Sequence, residues 1–72
     1  MLKKKKYKHN IGDLVFLMPH GLGYVESIKT RNPVYPYIVR WLNDDVEYKM
    51  SDDMVKQYKD ILNRYLVMKY GA

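Results

Sequence analysis

The sequence predicts a mainly β fold that ends in a helix: a small barrel of four to five antiparallel strands followed by one amphipathic α-helix. Short apolar runs alternate with turn-forming Gly, Pro, Asn and Asp residues over residues 10–50, which is typical of short strands. After Ser51 the apolar residues recur with a helical period instead of a two-residue period. A chain of 72 residues has room for one domain with a modest core.

The first two strands are expected on either side of a glycine-hinged turn. Residues 11–18 are apolar nearly throughout, and Pro19 ends the strand because proline cannot donate a hydrogen bond to a ladder. The second strand is expected over residues 23–30. Its core residues, Val25 and Ile28, are an odd number of positions apart, so this strand requires a bulge or a sharp bend.

The third and fourth strands form the clearest hairpin in the sequence. Residues 37–42 alternate in character, and Arg40 marks one face as the more solvated one. The face that is expected to point inward carries Tyr37, Val39 and Trp41. Residues 43–45 have turn composition and lead into the fourth strand at residues 46–50.

Residues 51–72 are predicted to form an amphipathic helix that packs on the barrel or extends from it. Ser51 is a favourable N-cap, Asp52 and Asp53 suit the positive end of the helix dipole, and Gly71 is a suitable stop. One helix face carries large apolar side chains: Met54, Val55, Tyr58, Ile61, Leu62, Tyr65, Leu66 and Met68.

The start of this helix has an alternative interpretation. Residues 52–54 could form a single helical turn, with residues 55–58 as a fifth strand and a shorter helix after them. The helical spacing of the apolar residues favours the single helix, and the fifth strand is kept as the alternative.

The net charge of +5 originates at the N-terminus. Five lysines occur there: Lys3, Lys4, Lys5, Lys6 and Lys8. The other basic residues balance the 8 acidic ones, so the rest of the chain is formally neutral. Because a lysine run repels itself and cannot be buried, residues 1–9 are predicted to be a disordered basic arm. The arm is either a solubility tail or a segment that binds a polyanion.

Residues 11–54 resemble the SH3-like barrel group that includes Tudor, chromo and KOW domains. The pair Gly12-Asp13 and the later run Gly21-Leu22-Gly23-Tyr24-Val25 are similar to the first two strands of KOW-like and Tudor-like modules. Residues 37–41 resemble the third strand of chromodomains. The resemblance implies an SH3-like barrel over residues 10–50.

The same group implies a candidate binding feature. Chromodomains use the tryptophan that corresponds to Trp41 in an aromatic cage for methylated lysine. Such a cage needs two further aromatic side chains, and Tyr24 and Tyr48 are the preferred candidates, with Tyr7 and Tyr35 as others. In this chain Trp41 is also expected to belong to the inward face of the barrel.

A second resemblance concerns the first two strands. Residues 12–28, with Pro19-His20-Gly21 between the strands, are similar to the Tudor-like RNA polymerase-interaction domain of the CarD and transcription-repair coupling factor families. A lysine-rich start followed by one barrel is typical of small bacteriophage proteins. The resemblance therefore implies a phage accessory protein with a link to the transcription machinery.

No set of catalytic residues is recognisable, and we expect no enzyme, cofactor or small-molecule substrate. His9 and His20 are interpreted as surface histidines, and without cysteine or a histidine pair at ligand spacing no metal site is predicted. Ser51 is explained as a helix cap. The acidic pairs at residues 44–45 and 52–53 are explained by a turn and a helix start.

These observations favour a non-catalytic module whose partner is another protein or a second copy of the chain. The alternative is a non-specific DNA-binding or RNA-binding protein that uses the basic arm. The residues expected at a partner or nucleic-acid interface are Lys3, Lys4, Lys5, Lys6, Lys8, Arg31, Tyr35 and Arg40. Arg31 and Tyr35 lie in a loop with two prolines, residues 31–36. The sequence has neither a membrane span nor a signal peptide, which predicts a cytoplasmic protein without membrane contact, in the host cytoplasm if it is phage-encoded.

Overall fold

The computed structural model describes residues 7–71, so Lys3, Lys4, Lys5 and Lys6 of the predicted arm lie outside the described residues. Four strands precede one helix: β1 (Leu14–Leu17), β2 (Gly21–Ile28), β3 (Tyr37–Trp41), β4 (Glu47–Met50) and α1 (Asp52–Tyr70). The strands form one antiparallel sheet in the order β1-β2-β3-β4. The predicted antiparallel sheet with a C-terminal helix is therefore confirmed.

The sheet is open and does not close into the predicted barrel. β1 and β4 are its two edges and do not pair with each other. Residues 55–58, the alternative fifth strand, belong to α1, so within residues 7–71 no further strand joins the edges. The helix packs chiefly against β1, and β4 is left as an edge strand of 4 residues.

One face of the sheet and the first turns of α1 enclose the core. The fully buried side chains are Val15, Val25, Tyr37, Val39, Trp41, Met50 and Val55. The predicted inward face of the third strand is therefore confirmed. Removal of these large apolar groups from water is the main favourable term in the folding of so small a domain.

A bulge in β2 allows both Val25 and Ile28 to face the core. Val25 pairs with Val39 and Ser27 pairs with Ile38, so Glu26 is the extra residue at this register shift. Val25 is fully buried and Ile28 packs against the core. The predicted bulge is confirmed, because without it the odd spacing would place Val25 and Ile28 on opposite faces.

Gly23 allows β2 to pass close under the indole of Trp41. The two residues are cross-strand partners. A Cβ atom at Gly23 would lie 2.5 Å from Cε3 and 2.8 Å from Cζ3 of Trp41, and 2.9 Å from the carbonyl oxygen of Arg40. Only a residue without a side chain fits between this ring and the strand.

The ends of α1 lie where the sequence predicts them. The Ser51 hydroxyl accepts a hydrogen bond from the Met54 N–H at 3.3 Å, which caps the first turn. At the other end Gly71 has a positive φ of 73°, and its N–H donates to the Val67 carbonyl at 2.9 Å. The helical interpretation of residues 55–58 is thus confirmed.

The helix runs along β1 in the same direction as the strand. Lys59 contacts Asp13 just before β1, and Tyr65 stacks on Phe16 within it at a centroid distance of 4.4 Å. The helix has 19 residues, or about 28 Å at its usual rise, whereas the 4 residues of β1 span only about 13 Å. The last turns of α1 therefore outreach the strand that supports the helix.

Candidate functional site

Arg40 is held by three acidic side chains. Its Nε donates to Glu26 at 2.9 Å, one terminal nitrogen donates to Asp45 at 2.7 Å, and the other donates to Glu47. These hydrogen bonds, first the one that Arg40 donates to Glu26, raise the pKa of Arg40 above its usual range, and the same bond lowers the pKa of Glu26. Arg40, which the sequence assigns to a partner or nucleic-acid interface, therefore has its donors already used within the sheet.

The predicted aromatic cage of Tyr24, Trp41 and Tyr48 is not formed. Trp41 is completely buried, with His20 stacked over its ring at a centroid distance of 5.1 Å. Tyr48 contacts it edge-on at 5.9 Å, but Tyr24 pairs with Arg40 and so points to the opposite face of the sheet. No methylated side chain can enter between these rings in this arrangement.

His20 is a structural residue and not the free surface histidine that the sequence suggests. Its Nδ1 is hydrogen-bonded to the Asp44 carboxylate, and its Nε2 lies 2.8 Å from the Tyr48 hydroxyl. The backbone carbonyl of His20 also accepts from the Asn43 side chain at 3.2 Å. These contacts tie the β1–β2 turn to the β3–β4 turn and close one end of the sheet over Trp41.

His9 anchors the start of the described chain in a buried polar network. It is almost fully buried, and its Nε2 lies 3.0 Å from the Asp52 carbonyl oxygen. The Lys59 ammonium lies 2.8 Å from Nδ1 of His9. Because an ammonium only donates, Nδ1 is the acceptor and Nε2 carries the proton. Residues 7–9, which the sequence assigns to the basic arm, are therefore packed against the body.

Tyr37 connects this network to the core. Its hydroxyl accepts from the His9 backbone N–H at 3.3 Å and donates to the Asp52 carboxylate. Burial, together with the neighbouring Asp52, raises the pKa of Tyr37, so the hydroxyl keeps its proton. Tyr7 packs edge-on against the Tyr37 ring at a centroid distance of 6.1 Å. No local sequence signal pointed to this network, since its members come from four separate segments.

Asp13 completes the network and makes it sensitive to acid. Burial alone would raise the pKa of Asp13, but hydrogen bonds from the Asn10 N–H at 2.8 Å and the Lys59 ammonium at 2.6 Å outweigh it and hold this pKa below its usual value. A carboxyl whose pKa is lowered by folding stabilises the folded state above its ordinary pKa. That contribution is lost as the pH falls through the lowered value.

We expect Asp13→Asn to lower the free energy of unfolding by about 1–2 kcal/mol at pH 7. The loss should shrink as the pH falls below about 4, because protonation removes the same charge from the wild-type chain. Urea denaturation between pH 7 and pH 2 measures both effects. Asp60→Asn is the matched control, since Asp60 pairs with Lys56 at the surface and should contribute less than about 0.5 kcal/mol. A constant difference across the pH range would contradict this role of the Asp13 carboxylate.

The β2–β3 loop presents the other predicted interface residues. Arg31 and Tyr35 are both exposed, as the sequence predicts. The Tyr35 N–H donates to the Asn32 side-chain oxygen at 3.0 Å, which fixes the loop in a compact turn. Lys8 is also exposed, whereas Lys3 to Lys6 lie outside the described residues.

The end of α1 exposes apolar side chains that the sequence partly assigns to the core. Leu66, Val67, Met68 and Tyr70 are 40%, 62%, 83% and 74% exposed, and we call these four residues the α1 apolar end. Leu66 and Met68 belong to the predicted inward stripe, but the helix extends beyond β1, so no strand within residues 7–71 covers them. An open groove of about 380 Å³ lies beside them, lined by Asn63, Arg64, Val67 and Met68.

Two further findings bear on function. Within residues 7–71 no three acidic, histidine or cysteine side chains group closely enough to hold a metal ion, and no helix in that range is long and apolar enough to cross a membrane. The chain matches no protein-family model, no curated protein and no solved structure.

Proposed function

We propose that this chain is a non-catalytic protein-interaction module that pairs with a second copy of itself through the α1 apolar end. The observation that carries the proposal is the run Tyr65-Leu66-Val67-Met68, four consecutive large apolar residues in a helix. Successive residues of a helix point about 100° apart, so this run is apolar around the whole circumference. A helix that is apolar on all sides is normally buried on all sides.

Only one side of this run has a partner within the described chain. Tyr65 stacks on Phe16, whereas Val67 and Met68 lie mostly in solvent. A contiguous exposed patch of this kind on a small protein marks an interaction surface more often than it occurs by chance. A partner that packs against Val67 and Met68 would supply the missing contacts.

The charges around the patch favour a second copy in antiparallel orientation. If two α1 helices cross at Val67, each Arg64 lies against the last turn of the other helix. That turn carries the partial negative charge of the helix dipole and the exposed ring of Tyr70, and both attract a guanidinium group. The same residues then serve on both sides of a twofold interface.

The proposal predicts a dimer in sedimentation equilibrium at tens of micromolar protein. The double variant Val67→Asp/Met68→Asp should sediment as a monomer, since each carboxylate would be buried opposite a copy of itself. Gln57→Asp is the control, because it adds a carboxylate to the exposed side of the same helix outside the patch, and it should leave the dimer intact.

A wild-type chain that stays monomeric at several hundred micromolar would contradict the proposal. So would a dimer that the Val67→Asp/Met68→Asp variant retains, since the interface would then lie elsewhere. Circular dichroism of the variants separates these outcomes from unfolding, because Val67 and Met68 make few contacts within the chain and their replacement should leave the helix in place.

A further inference from the structure

We propose that the end of the sheet where β2 stops and β3 starts is a binding surface for single-stranded nucleic acid. We call it the basic end and define it by Lys8, Lys29, Arg31, Lys49 and the ring of Tyr35. It is separate from the α1 apolar end and does not depend on self-association. The fold brings these basic side chains together from separate segments of the sequence.

Strand register brings the basic side chains together. Lys49 pairs with Ile38, which pairs in turn with Ser27, and Lys29 follows two residues later on β2. With strands about 4.8 Å apart, Lys29 and Lys49 lie roughly 12 Å from each other across this end of the sheet. Lys29 is held in place by its backbone N–H, which donates to the Pro36 carbonyl at 2.6 Å. Arg31 lies in the loop between β2 and β3.

These cations are not neutralised by the body of the protein. Among the described residues no carboxylate forms an ion pair with Lys8, Lys29, Arg31 or Lys49, and all four are exposed. Glu47 lies two residues before Lys49 on the same face of β4, but its carboxylate accepts from Arg40.

The acidic residues of the sheet lie around Arg40 and in the turn opposite the basic end. Glu26 and Glu47 pair with Arg40 in the middle of the sheet, whereas Asp44 and Asp45 lie in the β3–β4 turn, where Asp44 contacts His20. The described chain thus has a basic end and an acidic turn opposite it. A polyanion would be attracted to the first and repelled by the second, which orients it before contact.

His9 places Lys8 at the same end of the sheet. His9 is bonded to Tyr37 at the start of β3 and to Asp52 after β4, so the exposed Lys8 that precedes it lies at the end of the sheet where β3 starts.

Tyr35 makes a single strand the preferred ligand. Its ring is exposed in a loop fixed by two prolines and by the bond to Asn32, so little ordering is required on binding. Aromatic rings beside a basic groove bind unpaired bases by stacking, without sequence preference. In a duplex the bases are already stacked on each other, and only the phosphates would contribute.

The test is fluorescence anisotropy with a labelled 15-nucleotide oligothymidylate and the full chain. We expect micromolar binding in 50 mM salt that weakens steeply with added salt. Lys29→Gln/Lys49→Gln should weaken binding roughly tenfold and reduce the salt slope by about 1.4, since each phosphate contact on a single strand contributes about 0.7. Lys56→Gln/Lys69→Gln removes the same charge from α1 and should change the affinity by less than about twofold.

Tyr35→Ala should weaken binding of the oligothymidylate roughly fivefold or more, and binding of a duplex of equal length much less. If Lys56→Gln/Lys69→Gln weakens binding of the oligothymidylate as much as Lys29→Gln/Lys49→Gln does, the basic end is not the binding site. A duplex that binds more tightly than the single strand, with no effect of Tyr35→Ala, would overturn the assignment to single strands. Sedimentation reports self-association independently, so failure of this proposal and failure of the dimer are distinguishable.

Discussion

Trp41→Ala is expected to leave much of the chain unfolded at 25 °C and neutral pH. The indole is completely buried at the centre of the core, and replacement of a buried tryptophan with alanine costs about 3–5 kcal/mol. The free energy of unfolding of a 72-residue domain is roughly 4–11 kcal/mol, so Trp41→Ala removes a large part of it. Within the described chain the indole N–H has no hydrogen-bond partner, so the loss is one of packing.

Urea denaturation followed by circular dichroism measures this effect. Leu42→Ala is the matched control: it is the next residue, it is exposed, and it should cost less than about 0.5 kcal/mol. A Trp41→Ala midpoint close to that of the wild type would mean that Trp41 does not occupy the centre of the core.

Gly23→Ala is expected to cost about 2–3 kcal/mol, although it adds a single methyl group. The new Cβ would overlap the Trp41 ring at 2.5 Å and the Arg40 carbonyl at 2.9 Å, and neither the buried ring nor the backbone can move freely. Gly12→Ala provides the contrast. Its Cβ would meet no atom within 4 Å, so only the positive φ of 96° opposes it, at about 1 kcal/mol.

Thermal and urea unfolding of the two glycine variants decides between steric overlap and backbone strain. In a double-mutant cycle, Trp41→Phe should lessen the cost of Gly23→Ala, because phenylalanine removes the ring atoms nearest to the added methyl. Equal losses for Gly12→Ala and Gly23→Ala, without such coupling, would contradict the close approach of β2 to Trp41.

Local signals in the sequence predict most of the secondary structure. Ser51 and Gly71 fix the ends of α1, and the odd spacing of Val25 and Ile28 predicts the bulge in β2. These features depend on neighbours a few residues apart, where hydrogen bonding and side-chain direction are determined by the chain itself.

Contacts between distant segments were not predictable in the same way. The sequence around Arg40 indicates a surface cation, whereas in the fold Arg40 pairs with Glu26 and Glu47. The sequence assigns His9 to a tail, whereas in the fold His9 contacts Lys59 and Asp52. Closure of the sheet also depends on where α1 packs, which the apolar stripe of the helix does not determine. Of the candidate interface residues, Arg31 and Tyr35 needed only a proline-rich loop to be exposed, and they are.

The open sheet leaves two backbone edges that could recruit strands from other molecules. α1 shields the β1 side, while β4 is protected only by being short and by carrying Glu47 and Lys49. Charged side chains along a brief edge discourage endless strand-to-strand growth. A concentrated solution of this protein is thereby protected from fibre-like polymers.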